Sequence, residues 1–140
     1  MVEIVNRQRG RKMGLKRWRE FAGAALLAIS KDERDVSIAF VSDDVIRKLN
    51  RQFRGQNYAT DVLSFPSKAE AFENQTDLGE IVISVQRAAT QAKEHGLSFA
   101  NEVEQLVLHG LLHLCGYDHE TDRGQMNRME LRLRNKLGIA

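Results

Sequence analysis

Apolar residues recur along this chain with two periods, and the switches between them mark its elements. Val2 to Asn6 alternates as a strand does, and Asp35 to Val41 places Val36, Ile38 and Phe40 on one side, which predicts a second strand. Between them Leu15, Trp18, Ala22, Ala25 and Ile29 trace one helical face, which predicts a helix after the basic turn. Ser42 offers a helix cap, with Asp43 and Asp44 where the helix dipole favours negative charge. Val45, Leu49 and Phe53 follow at core spacing, and the helix should stop near Gly55, with Arg54 in its last turn. Asp61 to Phe65 is a short run closed by the single proline, Pro66, and reads as a third strand. Ser67 to Asp77 is polar without a period, a loop of a length that often serves as a lid. Ile81, Val82 and Ile83 suit a strand buried on both faces, and Val85, Ala88, Ala89 and Ala92 mark a helix that Gly96 can end. From Leu106 the helix over Ser98 to Cys115 is apolar all round except at its histidines, which places it inside the core. Thr121 and Asp122 begin a last helix with Met126, Met129, Leu133 and Leu137 on one stripe. This order predicts an α+β fold in one domain, residues 1–140, with a mixed sheet of four to five strands packed against helices.

The buried helix carries the candidate chemistry. His109 and His113 are four apart, within about 40° of each other round a helix and one turn apart along it. Gly116 can take the left-handed conformation that ends helices, letting the chain bring His119 back to the same point. Histidines at plus four and plus ten with a glycine at plus seven match the metzincin motif HExxHxxGxxH at every metal-related position, so the helix is zincin-like. Three neutral imidazoles with a fourth position left for water suit a catalytic zinc, one Zn²⁺ per chain on His109, His113 and His119. The motif is broken at Gly110, where the peptidases carry their general-base glutamate; that argues against proteolysis and leaves metal activation of water intact. For a lone histidine a hydrogen-bonded core role would be the plainer reading, but three at this spacing weigh against it. Cys115 lies about 200° round the helix from His113 and reads as a small packed residue. His95, before Gly96, reads as a last-turn residue at a helix C-terminus, with no metal role.

Charge changes the picture at one place. The net charge is only +2, yet between Arg7 and Arg19 there are seven Arg or Lys residues and no acid. Such a cluster suits a phosphate backbone, and suits a solvated surface equally well. No run approaches the roughly 20 apolar residues of a membrane span, so no membrane partner is expected. The stretch Phe21 to Ile29 follows basic residues, but a strand precedes it and Glu20 interrupts its flank, so a secretory signal is not expected. The single cysteine excludes an internal disulfide and fits a reducing cytoplasm.

The string HGLLHLCGYDH from His109 to His119 stands with two others, Asn50-Arg51-Gln52-Phe53-Arg54-Gly55 and Thr60-Asp61-Val62-Leu63-Ser64-Phe65-Pro66. Together they resemble the YbeY family of bacterial metal-dependent endoribonucleases, and the resemblance runs from about Val36 to the C-terminus. It implies a zinc-dependent nuclease specific for single-stranded RNA, acting in maturation of the small-subunit ribosomal RNA and in ribosome quality control. The cytoplasm is the implied compartment, and ribosomal proteins or other assembly factors are the implied protein partners. By position, it assigns the metal to His109, His113 and His119, and to Arg54 a role near the metal in RNA activity. Arg54 and His113 are then the expected catalytic residues, with Arg54 also binding substrate. Ala59 departs from the family pattern where a proline usually precedes the Thr-Asp pair, and Glu80 departs where an aspartate is common.

The chemistry gives Arg54 a defined task, because attack on a phosphodiester builds charge on the non-bridging oxygens that a guanidinium fork can neutralise. Without the resemblance it could simply cap carbonyls at a helix end. Asp61, Glu80 and Asp118 could each orient a metal-bound imidazole or be ordinary surface acids. Tyr117 is expected to close the core rather than stack on a base. Two other functions compete: a zinc metallopeptidase-like hydrolase, and a non-catalytic ribosome assembly factor with a structural metal that grips RNA through the Arg7 to Arg19 cluster.

Overall fold

Four strands, β1 (Val2–Asn6), β2 (Asp35–Val41), β3 (Val62–Pro66) and β4 (Asp77–Ser84), form one sheet in the order β1-β2-β4-β3. The computed structural model describes residues 1–30, 34–67, 76–118 and 120–140. Strands β1, β2 and β4 run parallel, and β3 lies antiparallel to β4 at one edge, so the sheet is mixed as expected and has four strands among the described residues. Among the described residues, five helices complete the α+β fold: α1 (Leu15–Ile29), α2 (Asp43–Arg54), α3 (Val85–His95), α4 (Phe99–Leu114) and α5 (Gln125–Leu137). No helix among the described residues is long and apolar enough to cross a membrane.

The two faces of the sheet bury different things. On one, Ile4, Val36, Ile38, Phe40, Ile81 and Ile83 form the main core with Trp18 and Ala22 of α1, Leu108 and Leu111 of α4, and Met126 and Leu133 of α5. On the other, Ala39, Val41, Leu63 and Val82 meet Ile46 of α2 in a smaller cluster. Strand β2 is therefore buried on both sides rather than on the single side its alternation suggests. Alanine at position 39 is small enough for a helix to lie over it.

Helix α2 departs from the expected stripe. Val45 and Phe53 are 39% and 59% exposed, while Ile46 is buried and Asn50 is 1% exposed. The inward face is thus turned toward Ile46 and Asn50, with Leu49 still packed against the cluster, because a buried asparagine is counted as polar in a hydropathy pattern. Its Nδ2 donates to the Tyr58 carbonyl at 3.0 Å, which satisfies the buried amide and ties the chain after the helix back against it. Helix α5 starts at Gln125, later than Thr121 and Asp122 suggest. Asp122 still serves its N-terminus, accepting from the Met126 N–H at 2.8 Å. The expected Ser67 to Asp77 loop lies, for residues 68–75, outside the described residues.

Candidate active site

Helix α4 holds its two histidines at a fixed place because the rest of it is locked down. The Asn101 N–H donates to Ser98 Oγ at the N-cap, and Val103, Val107, Leu108, Leu111 and Leu112 are fully buried. Gly110 lets the helix settle directly on β4. A Cβ at that position would lie 3.0 Å from both Cδ1 and Cγ2 of Ile81 and 3.2 Å from its Cγ1. Ile81 is itself fully buried and, being β-branched, has little rotamer freedom. The position beside the first histidine therefore faces the sheet, and a glutamate would have no room there. This is a packing reason for the break in the peptidase-like spacing.

His109 and His113 turn toward each other, with Nε2 to Nε2 at 3.1 Å and ring centroids 4.6 Å apart. His109 Nδ1 lies 2.8 Å from Oε1 of Glu130 on α5. A carboxylate accepts, so this contact assigns the ring proton to Nδ1 and leaves the Nε2 lone pair facing His113. The arrangement fits a metal: two nitrogens on a tetrahedral zinc at about 2.0–2.1 Å are about 3.3 Å apart, close to the observed separation. Carboxylate support of a ligating imidazole is also the usual companion of such sites.

Glu130 is not among the acids that the sequence singles out. Its signal is its position, four residues after Met126 and three before Leu133 on the inward stripe of α5. A carboxylate on a core-facing stripe needs a partner, and here the partners include His109 and, at 3.5 Å from Oε2, Arg134 Nη2. The side chain is only 14% exposed.

The third expected ligand, His119, lies outside the described residues. Gly116 adopts φ +100°, and the Tyr117 N–H donates to the Leu112 carbonyl at 3.0 Å, so the helix ends where the spacing predicts. Asp118 and Glu120 both line the same cleft as His109 and His113. Among the described residues, no group of three or more His, Cys, Asp or Glu side chains is arranged to hold a metal.

That cleft, of about 480 Å³, runs between α4 and the edge strand β3 and brings Arg54 to the histidines. Arg54 is exposed at the last turn of α2, just before Gly55 at φ +68°, and among the described residues no carboxylate pairs with it. Asp61 lines the cleft too, although its Oδ1 accepts from the Val62 N–H at 2.7 Å and so serves its own turn. Asp118 does likewise, accepting from the Glu120 N–H at 3.0 Å. Glu80 is elsewhere: it lines a separate hollow with Glu3, Asp35 and Asp77.

The remaining candidates divide. Tyr117 packs against the main core and also forms part of the cleft wall. Cys115 is half-buried at the end of α4, where burial pushes its thiol pKa up and the Arg34 guanidinium draws it partly back. His95 pairs through Nδ1 with the buried Glu102. Of the basic cluster, Arg11 stacks on Phe99 at 4.0 Å and Arg17 lies over Trp18 at 4.8 Å, so part of it is packed onto the body.

Known proteins share both the sequence and the fold. The family model described as Endoribonuclease YbeY matches residues 3–138. A protein of Solibacter usitatus named Endoribonuclease YbeY is 50% identical over 97 residues, covering 69% of this chain and 62% of that protein. The protein of the same name from Desulfitobacterium hafniense is 39% identical over 145 residues, covering 97% of this chain and 92% of its own length. The solution structure of TM1509 from Thermotoga maritima superposes with a TM-score of 0.64 at 32% identity, over 98% of this chain and 89% of that one.

Proposed function

Because the chain belongs to the YbeY endoribonuclease family, we propose that it is a metal-dependent endoribonuclease acting on single-stranded RNA, its task the maturation of small-subunit ribosomal RNA in the cytoplasm. In this reading residues 1–140 act as one domain, and one zinc ion per chain is held by His109, His113 and His119. The observation that carries it is the convergence of two imidazole Nε2 atoms 3.1 Å apart in a cleft that also contains Arg54.

The residues divide the work. Glu130 keeps the proton of His109 on Nδ1 and so keeps Nε2 available as a ligand atom. His113 supplies the second nitrogen from one turn further along the same rigid helix. A divalent ion bound there supplies Lewis-acid activation of the attacking oxygen or of a phosphoryl oxygen. As the backbone P–O bond breaks, negative charge gathers on the non-bridging oxygens, and the planar fork of Arg54 can donate two parallel hydrogen bonds to them. Peptide hydrolysis would need a proton carrier beside His109, and Gly110 leaves no space for one.

A substrate panel tests the proposal: labelled single-stranded RNA, the same RNA as a duplex, and casein, each with and without a chelator. Cleavage of the single strand alone, lost on chelation, is the expected outcome. Cleavage of casein, or RNA cleavage indifferent to chelation, would overturn it.

A further inference from the structure

Beside Arg54 stands an aromatic ring that the proposed chemistry does not use. Phe53 is 59% exposed although it occupies a helix in contact with the sheet, and Tyr58, five residues on, is 54% exposed. Single exposed aromatics are ordinary, and what distinguishes this one is its setting. Phe65 of β3 braces Phe53 edge-on, with centroids 5.2 Å apart and planes at 67°, which holds one ring while leaving the other half open. Ser64 and Pro66, on the opposite pleat of the edge strand from Phe65, line the cleft, as does Arg54, the residue after Phe53. Phe53 therefore stands across the strand edge from the cleft, and Arg54 reaches round that edge. From Asn50 to Thr60 there are two arginines, two exposed aromatic rings and no acid. Buried Asn50 anchors this segment through the Tyr58 carbonyl, so the rings are presented by an ordered surface.

We propose that Phe53, braced by Phe65, is a stacking platform for one unpaired nucleobase of the RNA whose backbone Arg54 contacts in the cleft. A base can lie on an aromatic face only when it is out of a duplex, and such stacking is tolerant of base identity. The platform thus gives the nuclease its preference for single strands without reading sequence. Phosphate contacts from Arg51 and Arg54 fix the backbone, and the ring selects a strand with free bases. The inference rests on the reading of the cleft as an RNA site and goes beyond it by naming what holds the strand where it leaves the cleft over the β3 edge.

The test uses short single-stranded RNAs with the fluorescent base 2-aminopurine at each position in turn, and the variants Phe53→Leu and Phe53→Trp. Stacking on Phe53 predicts that one position is quenched on binding to wild type. Phe53→Leu should lose that quenching and bind about 5- to 150-fold more weakly, the range for removing one base–aromatic stack. An abasic nucleotide at the same position should remove the difference between Phe53→Leu and wild type. Phe53→Trp should bind like wild type, with its own emission quenched by the RNA. Equal affinity of Phe53→Leu and wild type, or a difference that persists on abasic RNA, overturns the platform. Should circular dichroism show Phe53→Leu unfolded, the Phe53→Trp emission decides: quenched supports, unquenched overturns. A wild type that binds with the position-specific quenching and never cleaves would instead overturn the nuclease reading while leaving the platform standing.

Discussion

Substituting alanine for Gly110 sets two opposed terms against each other, and the structure decides between them. In a helix interior alanine is favoured over glycine by about 1 kcal/mol. At position 110, however, the new Cβ would meet two carbons of Ile81 at 3.0 Å and a third at 3.2 Å, where carbon atoms prefer about 3.5–4.0 Å. Ile81 is completely buried in a strand flanked by β2 and β3, so it cannot step aside. Overpacking of that kind costs about 1–3 kcal/mol, leaving Gly110→Ala between neutral and about 2 kcal/mol destabilised. Gly23 supplies the control, because it lies inside α1, where an added methyl would meet nothing within 4 Å. There alanine should gain close to the full 1 kcal/mol or so of helix preference. The assay is urea unfolding of wild type and both variants followed by circular dichroism, with the difference between variants reporting the overpacking alone. If Gly110→Ala proves as stabilised as Gly23→Ala, the close seat of α4 on the sheet is wrong, and with it the packing reason for the missing peptidase glutamate.

Three further outcomes are expected. Glu130→Ala should weaken metal affinity about 10- to 100-fold in a chelator competition, with Glu130→Gln less affected because its amide oxygen can still accept from His109 Nδ1; equal affinity in all three would remove Glu130 from the site. Arg54→Ala should lower kcat/KM on single-stranded RNA by about 100-fold or more at unchanged metal content and unfolding midpoint, and a normal rate would end its assigned role. Burial raises the Glu104 carboxyl pKa, with the Arg17 guanidinium pulling it partly back. A raised folded-state pKa means stability that is full below the unfolded carboxylate value and declines as pH rises through the folded one. Glu104→Gln should therefore be more stable than wild type near pH 7, with the advantage closing as the pH falls below the carboxylate range; urea midpoints at the two pH values check the sign.

The elements are legible wherever a local rule governs them. Capping serines at 42, 84 and 98 and left-handed glycines at 55 and 96 set the bounds of α2, α3 and the start of α4, and such signals are properties of neighbouring residues. The buried faces are harder to read, because they depend on what the chain meets after folding. Asn50 is the instructive case: hydropathy assigns it to solvent, whereas one carbonyl from the following loop makes its burial favourable. Glu130 shows the same limit at the site. Spacing alone joins His109 to His113, since both belong to one helix, but Glu130 reaches His109 from a second helix 21 residues away, and no sequence period encodes that meeting. Glu80, conversely, looks eligible by its neighbours and is carried by β4 to another surface. Gly110 can be seen to break a motif; only the contact with Ile81 shows why.

The central claim, that a divalent ion on the histidines drives RNA cleavage, is tested most directly by stepwise chelation of purified protein. Metal per chain from elemental analysis and the rate of cleavage of labelled single-stranded RNA are measured on the same samples. The account predicts about one ion per chain at full activity, a rate that falls in proportion to the metal removed, and recovery when zinc is restored. Protein stripped of metal that still cuts RNA at its original rate would contradict it.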